Sequence, residues 1–496
     1  MKQFITFMLF ISITGIQAQV QWGSDIDGIA AGDRSGYAID MSALGQIIAV
    51  GSFANDTNGT NAGQVRVMTW NGNDWVQWDN AMNGDNAGDW AGISLDLNDD
   101  GDMIVFGARQ NDNNNGVDAG AAYIYKHEAS GWVNVGPPIF GSNPSDIFGY
   151  DVVISRDGDR VAVSAPQNDA GGTDSGSVEA FEWDGVAWQP MGVPLLGQAA
   201  GDYFGYALAF NTFGDVMAVS APLNDGSGLD AGQVRVFAWD GNAWFQLGSP
   251  IYGEAADDRF GGAISMSVTG QYIAIGALKN DDGGTDAGHV RVYKFETNDW
   301  VQVGSDIDGV SEGDAFGRDV KMNAFGDVLI AGAHLGDNGS NGTSGEARVY
   351  KWNGTDWQPA GNTLYGEADG DEFGSAIGMN VIGDMIIVGG SRNDGNGTDA
   401  GHVRVFDISG VLGVTGNELP SLALYPNPMQ DRLSLKIPQE STQVAITVYN
   451  SLGQELPIVQ QQDGTLITVA LNAPPGLYLV HVTLDGTTSI HKVIRQ

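Results

Sequence analysis

The stretch from Gly201 to Gly253, GDYFGYALAFNTFGDVMAVSAPLNDGSGLDAGQVRVFAWDGNAWFQLGSPIYG, decides the fold. It predicts four short strands: Phe204 to Phe210, Val216 to Ala221, Gln233 to Trp239, and Trp244 to about Ile251. Phe213-Gly214-Asp215 turns the first strand into the second, and a loop rich in Asn, Asp and Gly (Asn224 to Gly232) leads into the third. Asp240-Gly241-Asn242 then opens the fourth. β-Branched and aromatic runs bounded by such clusters mark antiparallel hairpins. A lone sheet of this kind has two apolar faces and nowhere to bury them, so it requires neighbours.

The neighbours are copies of itself. A Gly preceded three residues earlier by an acid recurs at Gly36, Gly92, Gly149, Gly205, Gly261, Gly317 and Gly374, at spacings of 56 or 57. A second Gly closes the long loop in step, at Gly63, Gly120, Gly176, Gly232, Gly288, Gly345 and Gly401. Seven copies of four strands in one register predict an all-β fold, either a β-array or a seven-bladed β-propeller, since seven blades can close into a ring. Six copies carry an aromatic-turn-Trp passage into the fourth strand, as at Trp70 and Trp75 or Trp352 and Trp357. The seventh stops at Val403 to Ile408, and its missing strand lies at the other end of the chain. VQWGSDIDG (Val20 to Gly28) closely matches the fourth-strand passage VQVGSDIDG (Val301 to Gly309). The N-terminal segment is therefore expected to complete the last blade, which closes the ring without an open sheet edge.

Asp and Glu number 61 against 22 Lys and Arg, for a formal net charge of -39. Such a surface repels phosphates, which argues against nucleic acid and anionic membranes as partners. Cations, basic proteins and neutral sugars remain. Much of the acidity is Asp, a turn former. Residues 1–18 read as a secretory signal peptide, with Lys2, an apolar run from Phe4 to Ile13, and Ala18 before a cleavage point at Gln19. No later run is long enough to span a bilayer. The chain has no Cys, so an exported product would hold itself together without disulfides.

Phe148-Gly149, Phe204-Gly205, Phe260-Gly261, Phe316-Gly317 and Phe373-Gly374, with Ser164-Ala165-Pro166 and Ser220-Ala221-Pro222, resemble the FG-GAP repeats of integrin α-chain propellers. The first two copies depart, with Ser35-Gly36 and Ala91-Gly92. The resemblance covers residues 19–410 and implies a propeller that works in adhesion or ligand binding. Its calcium loops do not carry over. The hairpins that would hold them are short, as in Thr212-Phe213-Gly214-Asp215, and cannot supply the six to eight oxygens that calcium takes.

From Val411 the composition changes. Residues 411–420 read as a linker, and 421–496 as a small Ig-like β-sandwich with strands at Leu433 to Ile437, Val444 to Tyr449, Leu466 to Leu471 and Tyr478 to Thr483. Leu424-Tyr425-Pro426-Asn427-Pro428, Val448-Tyr449-Asn450-Ser451-Leu452-Gly453-Gln454, Pro475-Gly476-Leu477-Tyr478 and the closing Lys492-Val493-Ile494 resemble, in order, the type A C-terminal sorting domain of the type IX secretion system. That resemblance implies the type IX machinery as a partner. It also implies export across the outer membrane of a Gram-negative bacterium, to the cell surface or the medium.

For chemistry, the repeat supplies its own control, because a catalytic group should stand out in one copy. His289 and His402 hold the position that Gln64 and Gln233 hold elsewhere and read as partly exposed strand residues. No catalytic constellation and no cofactor loop is visible, so no enzymatic activity is expected. Arg66, Arg235, Arg291, Arg348 and Arg404 recur in the third strand, as inter-blade Arg–Asp contacts or as ligand contacts. The loop between the second and third strands repeats paired acids: Asp112 and Asp118, Asp169 and Asp174, Asp225 and Asp230, Asp281 and Asp286, Asp394 and Asp399. With the acidic connections between blades they would crown one face. They are turn formers or weak Ca²⁺ ligands. The expected function is an exported binding or adhesion module meeting a protein or glycan ligand on that face. A polysaccharide lyase or hydrolase, or a surface-coat protein, is the alternative.

Overall fold

The computed structural model describes residues 19–337 and 342–412 and, further on, 424–425, 429–430, 432–436, 444–450, 455–463, 465–474, 476–484 and 487–495. The expected signal peptide (1–18) and nearly all of the expected linker fall outside these residues. Among the described residues no helix is long and apolar enough to cross a membrane.

Seven five-stranded antiparallel sheets follow one another along the chain. The fourth is typical: Leu208–Phe210, Val216–Ala221, Gln233–Trp239, Trp244–Gln246 and Ile251–Tyr252. The sequence led us to expect one continuous outer strand here. Instead it breaks in two, and both pieces pair with Gln233–Trp239. The break serves the next blade. Gly248 has φ +75, and a Cβ there would lie 2.9 Å from the Trp300 indole. Trp300 Nε1 donates to Leu247 O at 2.9 Å. The outer-strand tryptophans Trp75, Trp132, Trp188, Trp244 and Trp357 each make the same bond to the preceding blade, at 2.8 to 3.1 Å. First strands of successive sheets lie side by side around the whole ring, including the seventh against the first.

The core lies between blades. Ala162, Val178 and Ala180 of the third blade pack on Phe204, Leu208, Met217 and Val219 of the fourth. Second strands are therefore apolar on both faces, which explains runs such as Val216–Ala221 that do not alternate. At the seam, Val20 and Gln21 pair with Asp407 and Phe406, and Ile26 and Asp27 pair with Val403 and His402. The N-terminal segment is the outer strand of the last blade, as its match to Val301–Gly309 predicts.

The repeated arginines are inter-blade devices, with a partner the sequence did not give. Arg235, Arg291 and Arg404 donate to backbone carbonyls of the preceding blade, at Leu196, Tyr252 and Tyr365, at 2.7 to 2.9 Å. Their guanidiniums lie 4.2 to 4.5 Å over the rings of Phe204, Phe260 and Phe373. In the first blade Ser35 stands in the Phe position, and Arg66 bonds to its Oγ at 3.0 Å instead. For Arg235, Arg291 and Arg404 a carbonyl and an aromatic face take the charge, and Arg291 and Arg404 also pair with Glu254 and Glu367 rather than with an Asp.

The C-terminal region forms two four-stranded sheets, built on Arg432–Lys436 with Leu466–Leu471 and on Val444–Asn450 with Gly476–Leu484. Leu433, Leu435, Ile467 and Val469 from one sheet meet Val448, Val480, Val482 and Val493 from the other in a single core. This is the expected sandwich.

Candidate functional site

The ten loop acids form no common site. The first of each pair closes its own loop: Asp112, Asp169, Asp225, Asp281 and Asp394 accept the backbone N–H of Asp118, Asp174, Asp230, Asp286 and Asp399 at 2.8 to 2.9 Å. The second sits in the left-handed region, at φ 50 to 54, where Asp is tolerated better than most residues. Asp399 further pairs with Arg34 at 3.3 Å. Among the described residues, the groups of carboxylates and imidazoles close enough to share an ion include none of the ten.

The acid that precedes each repeat Gly is likewise structural. Asp202 is buried, caps the N–H of Ala199 at 3.0 Å and accepts the side-chain amide of Asn224 at 3.0 Å. The same Asn–Asp bond joins Asn55 to Asp33, Asn111 to Asp89, Asn168 to Asp146, Asn280 to Asp258 and Asn393 to Asp371. Asp202→Ala leaves a buried amide unpaired and should cost about 1–3 kcal/mol in urea unfolding. Unchanged stability would mean that water replaces the carboxylate.

Some of the residues that differ from blade to blade line the axis. Two cavities of about 220 and 180 Å³ lie along it and meet at Lys321. The larger opens on the face of the acidic loops. It is lined by Tyr37, Tyr150, Tyr206, Arg318 and Arg109, with Asp151, Asp319 and Lys321 below them. The tyrosines and Arg318 directly follow the repeat Gly, and Arg109 follows the second strand of its blade, so the scaffold sets all five positions. Arg109 lies between two rings, 5.0 Å from Trp90 and 4.9 Å from Tyr150. The arc continues from Trp90 to Phe53 at 5.2 Å, from Phe53 to Tyr37 at 4.8 Å, and from Tyr150 to Tyr206 at 5.2 Å.

Among the described residues of the propeller, Arg109 and Arg318 are the arginines that make no hydrogen bond or ion pair with another side chain or carbonyl. Their donors face the channel unspent. Below them the walls are acidic. Asp151 bonds to Leu208 N at 2.7 Å and Asp319 to Ile377 N at 2.7 Å, each reaching the next blade. Enclosure by the ring pushes the Asp151 carboxyl up to about 7, and those of Asp96 and Asp319 upward too. Lys321 Nζ is 3.4 Å from Asp40, and the acids around it hold its ammonium more firmly protonated than usual, against the effect of burial. The sequence signal for this site was present but unmarked: Gly107-Ala108-Arg109 stands where other blades have Ser164-Ala165-Pro166 and Ser220-Ala221-Pro222.

No curated protein matches the chain as a relative. Among solved structures, a proposed 6-phosphogluconolactonase from Bacteroides uniformis shares 14% identity, covering 67% of this chain and 86% of its own, at a TM-score of 0.46. The periplasmic gluconolactonase PpgL of Pseudomonas aeruginosa shares 14%, covering 66% and 84%, at 0.43. U3-55K shares 8%, covering 79% and 99%, at 0.44. These likenesses concern the fold and assign this chain no activity. They do correct one expectation: two neighbours carry the names of hydrolytic enzymes, so the expectation that the chain is not an enzyme is withdrawn. Residues 423–496 match the secretion system C-terminal sorting domain, and by that tail the protein is exported through type IX secretion to the cell surface or the extracellular space.

Proposed function

We propose that the exported propeller is a binding module whose ligand is the end of an acidic glycan, held at the mouth of the channel. The observation that carries this reading is the pair Arg109 and Arg318, with free donors, set among Trp90, Tyr150, Tyr206 and Tyr37. Aromatic faces bury the C–H faces of a sugar ring, and guanidiniums grip a carboxylate or sulfate in a planar fork. The site thus moves from the acidic loops to the axis. The acidic loops repel any anion at a distance, so the arginine contacts must outweigh that repulsion, and salt should ease the approach of the ligand. The adhesive role implied by the FG-GAP resemblance is compatible with this position.

Calorimetry with uronic-acid and sulfated oligosaccharides, beside their neutral counterparts, tests the reading. The wild type should bind an acidic member. Arg109→Ala and Arg318→Ala should each weaken binding about 10- to 100-fold, as expected for a lost charged hydrogen bond, without lowering Tm. Equal binding by the double variant, or no binding of any acidic saccharide, overturns it. Cleavage of the bound saccharide would add an activity to the same site.

A further inference from the structure

His289 and His402 begin the third strands of the fifth and seventh blades, and both were expected to be partly exposed. Both are fully buried instead, because the short outer strands Ile307–Asp308 and Ile26–Asp27 pair directly over them. Neither ring nitrogen of either histidine has a hydrogen-bond partner. An imidazole enclosed without a partner is costly unless something else occupies its lone pair.

What faces each ring is a set of carboxylates. Glu254, Asp282 and Asp306 surround His289, with all ligand atoms within 4.8 Å of one another. Asp25 and Glu367 do the same for His402. His289 Nδ1 is 3.9 Å from Asp306, and His402 Nδ1 is 3.8 Å from Asp25 and 3.9 Å from Glu367. These separations are too long for hydrogen bonds. They are shorter than the roughly 4.2 Å spanned by two ligands on opposite sides of one ion at about 2.1 Å each.

The other five blades provide the control. Where His stands in blades five and seven, they carry Gln64, Ala121, Ser177, Gln233 and Glu346. At the Glu254 position they carry Ile29, Asp85, Ser142, Gln198 and Val310, and at the Asp306 position Ala81, Pro138, Pro194, Pro250 and Thr363. The Glu–His–Asp combination therefore occurs twice, complete each time, and in no other blade. Turn chemistry or solubility would not tie three separated positions together.

We infer that His289 with Glu254, Asp282 and Asp306, and His402 with Asp25 and Glu367, form two binding sites for a divalent transition-metal cation such as Zn²⁺ or Mn²⁺. One imidazole nitrogen with carboxylate oxygens suits such ions, whereas Ca²⁺ prefers oxygen alone. Both ring nitrogens of His289 are buried and without a hydrogen-bond partner, which leaves a lone pair for the ion. Arg291 takes one oxygen of Glu254 at 3.2 Å, which orients that carboxylate and leaves its other oxygen for the ion. The two sites have structural consequences of their own. The first ties the connection between the fourth and fifth blades to the fifth blade's long loop and outer strand. The second ties Asp25, on the N-terminal segment, to the last blade and so clamps the ring closure.

The test uses the full chain, stripped with chelator and then dialysed against Zn²⁺ with millimolar Ca²⁺ present, and read by elemental analysis and melting. Two equivalents of Zn²⁺ should remain, Ca²⁺ should not displace them, and Tm should rise with metal. His289→Gln and His402→Gln put in the residue that blades one and four already carry, so both should fold. Each should retain one equivalent, and the double variant none. Wild type that retains no metal, or a double variant that retains as much as wild type, overturns the inference.

Discussion

Deleting residues 19–28 should abolish the folded propeller. This segment supplies the outer strand of the last blade, and backbone-directed bonds hold it, among them Trp22 N to Val405 O at 2.8 Å, Gly28 N to Gly401 O at 2.7 Å, and Trp75 Nε1 to Trp22 O at 2.8 Å. Ile26 is 5% exposed in the cluster that joins Val403, Val405 and Ile387 of the last blade to Ile39, Ile48 and Val50 of the first. Trp22 packs on Trp70 and Trp75, with ring centroids 4.5 and 5.8 Å away. Burial of those two side chains is worth about 2–3 kcal/mol each, and the bonds about 1 kcal/mol each. The sum approaches the whole stability of an ordinary domain, about 5–15 kcal/mol. The deletion also bares His402–Asp407 as a sheet edge, so the product should aggregate. Ile26→Ala, which leaves the strand in place, should stay folded and lose about 2–4 kcal/mol in denaturant unfolding. A deletion variant with a wild-type melting curve would show that the clasp is dispensable.

That clasp was legible because it is a repeat element out of place, and repeats can be read against one another. The same comparison found the glycines. A Cβ at Gly232, with φ +90, would lie 2.1 Å from Phe260 O, where the two blades bridge, and every copy of that position has the same neighbour problem. The channel mouth was not legible, for the converse reason. Tyr37, Tyr150, Tyr206 and Arg318 share one position, but nothing in a single chain marks that position as axial until the sheets are arranged around a ring. His289 and His402 were misjudged because their cover comes from a two-residue strand beyond a break in the outer strand. The register match to Gln64 and Gln233 suggests partial exposure, but those glutamines are buried too. The loop acids are conspicuous in sequence because they build turns: one oxygen of the first acid in each pair accepts the backbone N–H of the second.

Lys321→Met should destabilise the propeller more at pH 8 than at pH 5. Lys321 is the ammonium that faces Asp40, Asp96 and Asp319 from the wall of the channel. Asp40 also bonds to Leu97 N at 3.0 Å and Asp96 to Ile154 N at 2.8 Å, so these carboxylates stitch adjacent blades and cannot swing away. Removing one partner of a buried ionic group costs about 3–5 kcal/mol. The Lys321 side chain is 34% exposed to the channel, and solvent screening lowers the expectation to about 2–4 kcal/mol at pH 8. The sign with pH follows from the carboxyls. Asp96, Asp151 and Asp319 have folded-state values above the ordinary one, and Asp151 reaches about 7. Between about pH 4 and 7 the folded chain then holds more protons than the unfolded chain, and stability falls as pH rises through that window. Lys321 has the same sign in a different window: raised above its ordinary value, its contribution persists through neutral pH and is lost only in strong base. Without it the carboxyls move further up, so they protonate sooner as pH falls. The difference between variant and wild type should therefore shrink between pH 8 and pH 5, while the wild type itself melts several degrees higher at pH 5 than at pH 8. Urea unfolding of both proteins at the two pH values measures all four quantities. A deficit that stays constant from pH 8 to pH 5 would mean that Lys321 acts by packing its alkyl stem rather than by neutralising the ring of acids at the axis.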